Sequence, residues 1–170
     1  DSVEAVVLLV GDAGAATLGD SPVLQQLGAE VEYWSERLDR DSAVTVAFLG
    51  DNVYPVGIRD RAHPEFPVDS ARLMSQVQVL GGTFARSRGA TGVFLAGNHD
   101  WGNMDGAAGV ARLGNQRVML DSARADGISV FMHPDPGDAG PVVRDVRHDV
   151  RLLMIDTHWY LQSGEVESRI

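Results

Sequence analysis

Cysteine is absent from the 170 residues of the chain. A disulfide, a Cys-ligated zinc and a thiol nucleophile are thereby excluded. Positive charge is in short supply as well: 14 Lys and Arg face 24 Asp and Glu, a formal −10. Nucleic acid and anionic membrane are therefore poor electrostatic partners, and several of the acids are free to face bound cations. No apolar run approaches the roughly 18–20 residues of a membrane span, and no signal peptide is visible. Solenoid repeats and low-complexity tracts are missing. "GDAGAATLG" lacks Gly-x-Gly-x-x-Gly spacing and no Gly-Lys-Ser/Thr occurs, which removes dinucleotide and Walker-type phosphate loops. The chain opens on Asp1 rather than Met, which predicts a processed or trimmed N-terminus.

What is present is a repeated device. "AVVLLVGDAG", "VTVAFLGDNVYP" and "TGVFLAGNHDW" each run several apolar residues into Gly and then Asp or Asn. Near-continuous apolar runs are expected of strands covered on both faces. Strands are predicted over 4–10, 43–49, 91–96, 127–132 and 149–156. Helices are predicted over 21–39, with Ser21 as N-cap and Pro22 first, over 69–86, and over roughly 106–125. In the first, Val23, Leu24, Leu27, Val31, Trp34 and Leu38 recur at helical spacing; in the second, Leu73, Val77, Leu80 and Phe84 do so. Gly81 and Gly82 weaken the middle of that second helix. "HPDPGDAGP" reads as a surface loop. Alternating strands and helices give an α/β layered fold, and residues 1–170 are read as one domain with its own core. The stop shortly after "DTHWY" predicts the N-terminal part of a longer protein.

In open α/β sheets, ligands collect beyond the carboxyl ends of the strands. Asp12, Asp51, Asn98, His99 and Asp100 fall there, close after glycines that let the backbone turn sharply. If the three strands are neighbours, their carboxylates crowd together. At ~4–5 Å and an effective dielectric near 20, each like-charge pair costs a few kcal/mol. Protons or cations must relieve that cost, and hard metal ions suit carboxylate, amide oxygen and phenolate. Taken alone, "GDAG" is also an ordinary Gly–Asp turn. "GDNVY" adds Tyr54 within reach of the same ion, and "GNHD" offers an amide oxygen, an imidazole and a carboxylate able to orient that imidazole.

Asp12 with Gly14, "GDNVY" and "GNHD" together resemble the calcineurin-like metallophosphoesterases, and within them the purple-acid-phosphatase branch. That branch carries Gly where most of the superfamily has His at the first motif, and it gains the tyrosine of the second. "GDNVYPVGI" is close to small single-domain members, and the likeness spans roughly residues 5 to 160. The resemblance implies a layered β-sheet sandwich flanked by helices, with the C-terminal half of that fold missing here. It implies a phosphatase or phosphodiesterase that activates water on a dinuclear centre, ferric iron plus divalent iron, zinc or manganese. Asp12 and Tyr54 would bind the first metal, Asp51 would bridge, and Asn98 would bind the second. His99 would hydrogen-bond the phosphate or leaving oxygen, with Asp100 setting its tautomer.

Asn52 and His158 are placed at the substrate mouth, and the substrate is a small phosphoester or a phosphoprotein. The branch is mostly extracytoplasmic, which together with Asp1 points to a periplasmic, secreted or anchored protein. Three further histidines that such a centre uses do not follow Asp156. A second chain or a downstream segment is expected to supply them; the alternative is a catalytically incomplete binding or scaffold domain. Of the other histidines, His63 reads as solvated, His148 as a surface or strand-edge residue, and His133 as a strand-end residue lying before the strand at which the motif should occur. Trp101, Trp159 and Tyr160 are expected to pack in the core or at the rim.

Overall fold

The computed structural model describes residues 3–38, 43–147 and 149–162. Four strands, β1 (Ala5–Val10), β2 (Ala43–Phe48), β3 (Thr91–Phe94) and β4 (Val130–Met132), form one parallel sheet in chain order. The register runs Leu8↔Val46 and Val46↔Gly92, so the three Gly-terminated ends lie side by side. β2 and β3 are buried almost throughout, which is why their sequences are continuous apolar runs rather than alternating ones. Stacked rings of Phe48 and Phe94, 4.2 Å apart, join them near those ends.

Helices cover the sheet. α1 (Pro22–Arg37) starts as expected: Ser21 Oγ accepts from Leu24 N at 3.2 Å, and Pro22 takes the first helical position. Leu24 and Val31 are buried, while Leu27 and Trp34 pack against the core. Val23, expected on that apolar face, is instead exposed. The helix expected over 69–86 is two helices, α2 (Phe66–Val77) and α3 (Thr83–Arg88). A 3-10 turn ends at Leu80, and the backbone breaks at Gly81–Gly82, where two glycines remove the support of side chains. Glu32 of α1 then caps the new start, its carboxylate accepting from Phe84 N at 2.9 Å and Ala85 N at 3.0 Å. α4 (Gly106–Ala125) matches its expected span and packs on β4.

The C-terminal part departs from expectation. Residues 142–147 form β5 (Val142–Arg147), antiparallel to β6 (Val150–Met154), and these two make a separate sheet. β5 alternates inward and outward residues, so "VVRDVR" shows no apolar run. The ion pair of Arg147 with Glu4, 3.1 Å, ties the end of β5 to the start of β1. The short helix α5 (Thr157–Leu161) follows β6. Among the described residues no helix is long and apolar enough to cross a membrane.

Candidate metal centre

The loops after β1 and β2 are laced together by backbone. Asp12 N donates to Gly50 O, Gly14 N to Asp51 O, and Tyr54 N to Gly14 O, at 3.0–3.2 Å. A Cβ at position 14 would collide with the backbone of Asn52 and Val53. No side chain fits there, histidine included, which gives the Gly14 of the sequence its physical reason. The loop after β3 comes as close: a Cβ on Gly97 would strike the Asp51 carboxylate.

This lacing forces an uncommon backbone. Asp12 (φ 56°), Asp51 (φ 54°) and Asn103 (φ 54°) are the non-glycine residues with positive φ among those described. Left-handed backbone costs an ordinary residue roughly 1–2 kcal/mol, less for Asp and Asn, and such outliers gather at functional sites. All three border one spot.

There the side chains converge. Tyr54 Oη lies 2.6 Å from Asp12 Oδ1 and 2.9 Å from Asp51 Oδ2. A phenol has one proton, so two carboxylates from the loops after two different strands share it. The hydrogen bond to Asp12, then burial, then Asp51 hold that phenol above its usual pKa. Asp51 Oδ1 accepts from His99 N at 3.2 Å. The His99 ring tilts against Tyr54 with centroids 4.3 Å apart, and its Nδ1 sits 2.6 Å from Pro55 O. A carbonyl only accepts, so Nδ1 carries the hydrogen, and in the neutral ring Nε2 keeps its lone pair.

Asp100 is not the residue that sets this tautomer; Pro55 O is. Asp100 is fully buried and spends both oxygens elsewhere, on Asn52 N (3.0 Å), Val53 N (3.1 Å), Gly97 N (2.9 Å) and Asn52 Nδ2 (3.1 Å). Burial pushes its pKa up to about 7, against the pull of these donors. It is the clasp between the β2 and β3 loops. Asn52 likewise leaves the substrate mouth: it is 1% exposed, and its amide donates to Leu95 O at 2.6 Å.

Asn98 is exposed, and its Nδ2 donates to Asn103 Oδ1 at 2.8 Å. Asp12, Asp51, Asn98 and His158 line one cleft of about 230 Å³. His158, on α5, brings its ring to 5.4 Å from Trp101, with Nε2 3.9 Å from Asp105 Oδ1. Trp101 is 1% exposed and donates from Nε1 to Asp156 at 2.8 Å, so it belongs to the core as expected. Asp156 also caps α5 by accepting from Trp159 N. His63 is exposed in its loop, as read. His133 stands beside Phe131 with Arg117, Arg124 and Arg144 nearby, and burial lowers its pKa; it does not line the cleft. His148 lies outside the described residues. Asn103 escaped the reading of the sequence, although the Gly-Asn pair at 102–103 is a turn signal.

Among the described residues no group of three or more His, Cys, Asp or Glu is placed to hold a metal ion. The donors gathered here are two carboxylates, a phenol and an amide, an all-oxygen set that suits a hard cation. A somewhat larger cleft, about 270 Å³, lies between α2 and α4 beside Met74, Asn115 and Met119, and it gathers no comparable set. No family model matches the chain, and neither does any curated protein or solved structure with which it was compared.

Proposed function

We propose that the chain carries part of the dinuclear centre of a phosphoester hydrolase of the calcineurin-like, purple-acid-phosphatase-like kind. The observation that carries this reading is the Tyr54 phenol, bonded at once to Asp12 and Asp51. Two acids held together on strained backbone with one proton between them is an arrangement that a cation relieves. Asp12, Tyr54 and Asp51 would hold ferric iron; Asp51 and Asn98 would hold divalent iron, zinc or manganese. Two such ions would supply an activated water and charge stabilisation for attack at phosphorus. His99, next in the chain to the cleft-lining Asn98 and with Nδ1–H committed to Pro55 O, would use Nε2 to take or return a proton at the phosphate or leaving oxygen. His158 also lines the cleft, where a phosphoester or phosphoprotein substrate would enter. The four-stranded sheet and the β5–β6 hairpin would then be parts of the two sheets of a metallophosphoesterase sandwich. Further histidines would come from a downstream segment or a second chain.

Hydrolysis of an aryl phosphate by metal-loaded protein is the test. Asp51→Asn and His99→Ala should each lower turnover at least about 100-fold; unchanged turnover in both would overturn the reading. A second reading, a binding or scaffold domain on the same fold, is favoured by the absence of any three-membered His and carboxylate group among the described residues. It requires that no turnover appears with any metal even when the full-length gene product is assayed.

A further inference from the structure

The loop that carries Asn98 and His99 closes on itself through Asn103. Asn103 N donates to Asn98 O at 2.9 Å and Gly102 N to His99 O at 2.8 Å. The side chain of Asn103 then makes two more contacts. Its Oδ1 accepts from Asn98 Nδ2 at 2.8 Å, and its Nδ2 donates to Pro55 O at 3.3 Å, the carbonyl that also receives His99 Nδ1. Asn103 Nδ2 lies 3.4 Å from His99 Nδ1 as well, but that nitrogen already carries a hydrogen and cannot accept.

An amide side chain offers a cation either its oxygen or its NH2, and only the oxygen binds. A group that occupies the NH2 decides which is presented. We infer that Asn103 is a positioning residue: it holds the Asn98 NH2 so that Oδ1 faces the cleft, and through Pro55 O it fixes the carbonyl on which His99 is aligned. Its left-handed φ of 54° is what lets one side chain reach both partners, and asparagine tolerates that backbone better than most residues. The inference rests on the metal-centre reading given above.

The test uses Mn2+ binding to the purified protein by titration calorimetry, with Asn98→Ala, Asn103→Gly and Asn103→Asp beside the natural sequence. Glycine keeps the positive φ and removes only the side chain. Asparagine-to-aspartate keeps the acceptor for Asn98. Asn98→Ala and Asn103→Gly should both weaken Mn2+ binding about tenfold. In the metal-free protein, NMR should show the Asn98 side-chain NH2 signals shifted in Asn103→Gly and retained in Asn103→Asp. If Asn98→Ala weakens binding while Asn103→Gly leaves both affinity and the NH2 signals unchanged, the positioning role is wrong and the metal reading stands. If the natural protein binds no Mn2+, or Asn98→Ala binds it equally well, the metal reading fails and the positioning role falls with it.

Discussion

Inside the three loops, Asp100 is shut away from water and takes four N–H groups, three from backbone and one from Asn52. A few residues away, at the mouth, Asp12 and Asp51 have one phenol proton between them. The sequence presents these acids in equivalent places, each close after an apolar strand and a glycine. Their surroundings separate the work they do. Asp100 is saturated with donors and holds two loops together; the mouth pair is short of donors and held on costly backbone. On the reading proposed above, stability is concentrated in the first region, and capacity for a ligand in the second.

The widest gap between the two regions should appear on truncation. Asp100→Ala strands four donors in the interior and is expected to lower unfolding free energy by about 3–5 kcal/mol, read by urea denaturation. A loss near zero would erase the distinction. Asp12→Asn should do the reverse: with one charge gone from a crowded pair of which Asp12 is exposed and Asp51 half-buried, metal-free stability should hold or rise by about 0.5 kcal/mol, while metal uptake falls. A clear loss of metal-free stability would place Asp12 with the clasp. The smallest effect concerns Asp156, whose pKa is raised by burial. A raised folded-state pKa means that its stabilising contribution is complete below the ordinary carboxylate value and is lost as pH rises through the folded value. The stability gap between the natural protein and Asp156→Asn should therefore narrow from pH 4 to pH 7; a widening gap would mean that the Trp101 and Trp159 bonds outweigh burial.

How far the sequence could be read depended on which signals are local. β2 and β3 were legible because burial on both faces writes itself into consecutive apolar residues, and α1 because Ser21 and Pro22 mark its start. β5 was not, since one of its faces is wet and "VVRDVR" mixes charge with valine. The α2–α3 break was half legible: Gly81 and Gly82 marked it, but the Glu32 cap comes from a helix some fifty residues away in the chain. At the centre, spacing brought Asp12, Asp51, Tyr54 and Asn98 to one cleft or its edge. Adjacency misled at Asp100, because neighbours along a turn point in different directions. Pro55 O, which replaces Asp100 as the partner of His99, is a backbone atom and leaves no mark in side-chain chemistry.

The strands of the main sheet pair in the order in which they occur along the chain, and every donor of the candidate centre, with Asn103, lies between residues 12 and 103. During synthesis, β2 and β3 each find a neighbour already made, and no later strand has to be threaded between them. The oxygen donors of the candidate centre thus lie in one uninterrupted stretch that is made before β5, β6 and α5. The hairpin and α5, which carries the cleft-lining His158, arrive afterwards on a site whose oxygen donors are already in place.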